Sequence, residues 1–421
     1  MTLPPSVPHR ITETSTELAP GWYYVEGEVT IPGYIALEES TLDDYNIILT
    51  DDSVLNITSL RHYHSSCLRI YGQGGIEQRE DPSCHAGRLN AQGSEHLAGI
   101  GGGQGLACGS IEIQGGIITA RGSEDQPGIG GESLTGSIVI LGGDVAAYGG
   151  ENAAGIGGCK DRSSGEIRIW GGKIQATGGE SGAGIGGGYG GGGTLTNIYG
   201  GNITAQGGGY AAGIGGGEKY GGGGDSGTIN IYGGVVNATG GKSQSILSHS
   251  CGAGIGGGGD GSQTGPICIY GGKVKATGCN HSAGIGGGNG SSGGTIKIYG
   301  GEIEAYGGQV GAGVGGGVNG SGGHIEIHGG RLIAVGKHNS EEFGGSCSGG
   351  AGIGGGGFGT GGDIHIFGGE VYALGEDGAG IGGGRKKSSG SITIDGGNVV
   401  AIAFVGGAGL EVVLVMVMIP I

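Results

Sequence analysis

Ten times between residues 98 and 410 the chain returns to one pattern: A-G-I-G-G-G, a glycine-rich link, then I-x-I-aromatic-G-G-x-I-x-A. A clean copy reads AGIGGG at 283–288, IKIY at 296–299 and GGEIEA at 300–305. The centre of the first motif falls at Ile100, Ile129, Ile156, Ile185, Ile214, Ile255, Ile285, Val314, Ile353 and Ile381. The usual step is about 29 residues, within the range of solenoid periods. From the second Ile of I-x-I to the apolar residue of the next element is five residues in all ten copies, from Ile113 and Ile118 through Ile394 and Val399. Variable links joined to an invariant arm read as surface joined to structure.

Within the arm, apolar residues alternate, which is the strand period, and no stretch carries the i, i+3, i+4, i+7 spacing of a helix. Gly-Gly pairs break the strands and permit tight corners. One unit therefore supplies three short strands of about three to five residues. No unit can stand alone, because ordering a residue costs roughly 1–2 kcal/mol and each unit offers only five small or medium apolar side chains. The 119 glycines in 421 residues deepen that cost.

Stacking resolves the difficulty. Successive units pair like strands in parallel about 4.8 Å apart, and each Ile lands on the Ile of the unit below. The expected fold is all-β: a parallel β-helix, right-handed by the crossover preference, with three strands per coil, forming a rod of roughly 50–60 Å. Two rivals are weaker. Glycine this abundant often signals disorder, but disorder does not keep a five-residue spacing ten times over. A bundle of polyglycine helices suits GGGYGGGG and fails the I-x-I arms.

The flanks read differently. Residues 1–20 carry no apolar run of a secretory signal and are expected to be disordered. Residues 21–97 are expected to form an N-terminal cap and an irregular first coil, since a solenoid's first coil otherwise exposes an open edge. Two insertions, GGKSQSILSHSCG and GKHNSEEFGGSCSGG, lie between the third strand of one unit and the next AGIGGG, so both leave one edge of the rod. A smaller lengthening falls at Glu218-Lys219-Tyr220. Residues 411–421, EVVLVMVMIPI, are too short to span a bilayer and would make an exposed end strand. They are expected to be the repeat read in a shifted frame. Leu410 stands where AGI belongs, and in the frame offset by two bases Met416-Val417 must encode glycine and Met418-Ile419 aspartate. Re-sequencing the locus checks this.

The run GWYYVEGEVTI, NIILTDDSVLNI and LRIYGQGG, followed by AGIGGG/IxIYGGxIxA repeats, resembles large cell-surface repeat proteins of Gram-positive gut bacteria. Those proteins are adhesin-like and generally lack an assigned activity. The resemblance covers nearly the whole chain and implies an exported, wall-associated or secreted setting.

The residue after the second Ile of each arm forms a column: Gln114, Leu141, Trp170, Tyr199, Tyr232, Tyr270, Tyr299, His328, Phe367 and Asp395. Strand alternation points it away from the buried Ile, so a ladder of rings faces outward. Exposed rings suit stacking on sugar faces; stacking on one another would equally support the parallel strands. Trp170, Tyr199, Tyr232, Tyr270, Tyr299, His328 and Phe367 are the candidate carbohydrate-binding residues.

The eight cysteines show no C-x-x-C pair. Counting back from Ile255 and Ile285, His249 and Cys279 take one repeat position, and Cys251 and His281 another. Adjacent coils could gather them into a two-sulfur, two-imidazole zinc site, or Cys251 and Cys279 could form a disulfide, or all four could be plain surface residues. No cofactor is expected. The net charge of −17 argues against nucleic acid as a partner, because phosphate binding requires a basic face. Acidic residues such as Glu302, Glu304, Glu326 and Asp363 read as spread along the rod, which gives catalysis weak support. The expected function is a non-catalytic, surface-displayed repeat protein, a monomer or part of a longer repeat chain, contacting glycans or host surfaces. The alternatives are a polysaccharide lyase or hydrolase on the same scaffold and a purely structural stalk.

Overall fold

A computed structural model describes residues 7–38, 44–62, 65–73, 85–103, 105, 107–131, 133–134, 136–218, 224–241, 251–259, 261–339, 348–404 and 412–418. Three long sheets run side by side along one axis, and the chain visits them in a fixed cyclic order. The I-x-I strands form the first sheet of 14 strands, the x-I-x-A strands the second, and the I-G strands of the AGIGGG motif the third of 13 strands. Pairing between successive coils is parallel and in register, Ile on Ile: Ile269 on Ile298, Ile298 on Ile327, Val274 on Ile303, Ile255 on Ile285. The fold is a parallel β-helix. At about 4.8 Å per coil its 14 first-sheet strands give a rod of roughly 65 Å, longer than expected because the coils begin earlier than the repeat does.

That early start corrects one expectation and refines another. His9–Arg10 pairs with the first sheet and Glu17–Leu18 with the third, and Ile11 and Leu18 are buried, so residues 9–18 are part of the stack. The described residues between 21 and 97 are coils of the same three sheets, so the expected cap is itself part of the stack: Gly21–Val25, Tyr45–Leu49 and Cys67–Gly72 lead directly into Ser110–Ile113.

The core is a set of aliphatic columns. A typical repeat coil buries two Ile from the first sheet, Ile, Val or Leu plus Ala from the second, and Ile or Val from the third, with Thr196 in place of one Ile and Ile392 exposed in the last coil; Ile296, Ile298, Ile303, Ala305 and Val314 are at most 1% exposed. Third-sheet strands are shorter than expected, two or three residues. The cause is the glycine after the central Ile. From Gly101 to Gly382 this column takes φ of 129–137°, a region L side chains rarely enter. From Gly101 through Gly354, a Cβ there would lie 2.0–2.1 Å from the carbonyl oxygen of the same glycine in the next coil. Only glycine lets the coils close at this position.

The AGIGGG motif is interior, whereas the links that follow it are part surface, with Thr194, Gly290 and Ser292 exposed. Residues 181–188 and 281–288 are buried throughout. Their amides bond coil to coil, as in Gly187 N–H to Gly215 O at 3.0 Å and Gly287 N–H to Gly315 O at 2.8 Å. Backbone groups that would otherwise be buried and unsatisfied are thereby paired.

Both insertions leave the corner between the second and third sheets. Residues 242–250 and 340–347 lie outside the described residues, as do 219–223 of the smaller lengthening and Leu410. Beside the second insertion, strand Arg331–Asn339 overruns its coil and pairs antiparallel with Ser348–Gly349. Val412–Met418 does not continue the parallel stack; it folds back antiparallel on Asn398–Phe404. Among the described residues, no helix is long and apolar enough to cross a membrane.

Candidate functional site

The outward face of the first sheet carries the ladder. In each coil, the residue after a fully buried Ile points the opposite way, and its N–H donates to the Ile carbonyl one coil back: Tyr232 to Ile198, Tyr270 to Ile231, Tyr299 to Ile269, all at 2.7 Å. The backbone thus fixes ring spacing. Trp170 and Tyr199 stack with centroids 3.9 Å apart, Tyr199 and Tyr232 at 4.8 Å, Tyr232 and Tyr270 at 4.7 Å, and Tyr270 and Tyr299 at 4.9 Å. His328 continues the stack at 4.7 Å from Tyr299 and 4.5 Å from Phe367, and all planes lie within 15° of parallel. The structure brings all seven ladder residues together.

Stacking decides what this ladder can offer. A ring between two others has both faces covered, so what it shows to solvent is its edge and, in tyrosine, its hydroxyl. Each such pair stabilises by about 0.5–1.5 kcal/mol beyond burial. Trp170 is the exception. It begins the ring stack, has a ring neighbour on one side only among the described residues, and is the most exposed of the seven at 51%.

A column beside the rings carries hydrogen-bonding groups. Asn230 Nδ2 donates to Asn197 Oδ1 at 2.9 Å, and the Arg168 guanidinium grips Glu166 through two nitrogens at 2.5 and 2.7 Å. Toward the C-terminal end the same columns gather charge. Glu326 accepts from Lys297 Nζ at 3.0 Å and pairs with His324 Nε2 at 2.8 Å and His328 Nε2 at 3.0 Å. The second nitrogen of His324 meets Asp363 at 3.0 Å. One coil on, His365 Nε2 lies 2.6 Å from Asp395 and its ring stacks 3.7 Å from Phe367. Hydrogen bonds from His324, His328 and Lys297 hold the Glu326 carboxyl down at about 2, and the bond from Glu326 raises His324 above the usual imidazole value.

This cluster corrects the expectation that the acidic residues are dispersed. Glu326 and Asp363 converge on one imidazole, whereas Glu302 and Glu304 sit on the second sheet, Glu302 pairing with Lys273. Reading the repeat column by column was the missed signal: Thr295, His324, Asp363 and Lys297, Glu326, His365 are vertical neighbours.

The zinc cluster does not form. Cys251 and Cys279 join in a disulfide between adjacent coils, with Cα atoms 5.5 Å apart, so neither offers a thiolate. His281 is buried with φ at 68°, its N–H bonded to Gln309 O, and His249 lies outside the described residues. Among the described residues, no group of three or more His, Cys, Asp or Glu is arranged to hold a metal ion.

Three in-register parallel sheets around aliphatic columns define a β-helix solenoid. The comparison with family models agrees: the beta helix repeat model matches residues 111–133, 167–189, 197–218, 229–259, 267–289, 296–318 and 364–385, each segment one turn from first to third sheet. The chain carries these repeats on a parallel β-helix fold. No curated protein and no solved structure matches it.

Proposed function

We propose that this chain is a non-catalytic rod displayed at a cell surface, where it adheres to carbohydrate through the outer face of its first sheet. The observation that carries this reading is the continuous exposed stripe from Trp170 to Phe367, six stacked contacts long. Exposed apolar surface of that extent, rimmed by polar side chains, marks contact sites on soluble proteins. Because inner ring faces are covered, a sugar ring stacks on Trp170, and the polymer runs on along tyrosine edges and the Asn197–Asn230 row. The Cys251–Cys279 bridge supports an oxidising, exported setting, in keeping with the resemblance to Gram-positive surface repeat proteins.

A glycan array with purified protein tests this. Trp170→Ala should remove most retention and Tyr232→Ala with Tyr270→Ala a lesser part. No retention by the parent on any glycan would leave the second reading, a structural stalk, which the mutual covering of the ring faces favours. The fold also occurs in lyases and hydrolases, and product release from uronate polymers would replace both readings with an enzyme.

A further inference from the structure

The two ends of the ladder are chemically unlike. Its middle is neutral, whereas its C-terminal end places three imidazoles, three carboxylates and one ammonium on four successive coils. Two of the imidazoles are part of the ring stack: His328 lies between Tyr299 and Phe367, and His365 lies on Phe367. We infer that this end is a separate subsite that captures an anionic glycan, bearing sulfate or carboxylate groups, in mildly acidic surroundings and releases it toward neutrality. The inference rests on the glycan-binding reading of the ladder.

With neutral imidazoles, one ammonium (Lys297) stands against three carboxylates (Glu326, Asp363, Asp395), and the patch carries two negative charges. Three protons bring it to one positive charge. Imidazole is the side chain whose ordinary range covers that change. The groups facing the cluster from adjoining coils do not cancel it. Cys268 and Tyr299 precede it, Thr393 and Ser391 follow, and Phe367 lies within it. Aromatic faces on both sides of His328 hold a cation by cation–π attraction, so the charge is presented in a fixed place. On a chain of net charge −17 the patch would be a local exception. Surface charges are screened over roughly 10 Å at 0.1 M salt, so capture depends on the patch more than on the whole rod.

The variant that isolates charge from stacking is His328→Tyr, which restores a neutral ring of the kind found in the four coils before it. Combined with His324→Gln and His365→Gln, it removes the titrating groups and keeps side chains able to hydrogen bond. Binding of the full chain and of this triple variant would be measured to a sulfated glycan, to polygalacturonate and to a neutral glucan, at about pH 5 and about pH 7.5. The parent should bind one or both anionic polymers at least about tenfold more tightly at the lower pH, with the glucan indifferent to pH. The triple variant, folded by circular dichroism, should lose the difference. Comparing the two anionic polymers tells sulfate from carboxylate. Equal parent binding at both pH values, or a pH difference that survives in the triple variant, overturns the inference. Glucan retained through Trp170 with no anionic binding at either pH overturns it too, while leaving the ladder reading intact.

Discussion

The coils before residue 93 and those after it stack on the same three sheets with different materials. Only seven of the 119 glycines precede residue 93. The early core is packed with large, individually placed side chains: Tyr45 is fully buried, donates its hydroxyl to Glu38 O, and meets His62 edge-on at 6.3 Å. After residue 98 the core repeats a few Ile, Val and Ala columns, and the outer side of the third sheet is stripped to glycine. Arg61 and Gly101 mark the change. They are register partners in adjacent coils; the first keeps a long side chain over Tyr34, while the second adopts φ of 129° with the next coil's carbonyl against it. A β-helix can therefore be closed by specific packing or by repetition. Repetition gains identical, interchangeable coils at the cost of positions that accept only glycine.

The sharpest way to break this comparison is to put a charge inside a repeat column. Ile298→Asp, at a fully buried site, should cost at least about 3–5 kcal/mol, read as a fall in urea midpoint with loss of several neighbouring coils. Gln175→Asp, outward and exposed, should be nearly silent. Lys297 is not a suitable outward control, because its ammonium is 3.0 Å from Glu326. Equal effects at positions 298 and 175 would defeat the assigned strand register.

Next in size is the glycine column. Gly215→Ala, with φ at 134° and a Cβ that would sit 2.1 Å from Gly256 O, should cost about 3 kcal/mol, whereas Arg61→Ala should cost about 1 kcal/mol or less. If thermal melts show the two to be alike, glycine there reflects composition and not closure.

Removing the disulfide should follow closely. Cys251→Ser with Cys279→Ser opens a 28-residue link and should lower stability by about 3 kcal/mol. Hydrogen exchange should show the loss confined to repeat coils, with the coils before residue 93 unchanged. Loss spread evenly along the rod would mean the two regions unfold as one unit.

The smallest effect separates the charged networks. In the early coils Arg69 lies between Asp44 and Glu112, a cation that keeps its charge at any ordinary pH. In the late coils His324 lies between Glu326 and Asp363. Its raised value means that its stabilisation is complete below 6.5 and fades as pH rises through the folded value. Glu326, lowered from 4.5 to about 2, contributes above 4.5 and loses its contribution as pH falls toward 2. Both act between pH 4.5 and 6.5, so the melting temperature of the late coils should be highest there. His324→Gln should flatten the alkaline side and Glu326→Gln the acid side. A parent profile flat from pH 5 to 8 would remove His324 from any role in stability.

The repeat made the three strands, their parallel stacking and the outward ring column legible from residues alone, because period-two alternation and a five-residue arm leave one way to bury the isoleucines. The coils of residues 9–18 and of the described residues between 21 and 97 are less legible because they carry no repeated words; Ile11, Leu18 and Tyr45 show their place only when packed. The sequence by itself determined which residues share a column. Tertiary structure decided what neighbouring columns do to each other: that stacked rings cover one another's faces, that Glu326 and Asp363 meet on His324, that Cys251 reaches Cys279 and not a metal, and that the AGIGGG motifs are buried. The physical reason is distance. Contacts within a column follow from the repeat, one coil apart, whereas contacts across columns and coils depend on rotamers, side-chain reach and the backbone's turn at each corner, which no single strand records.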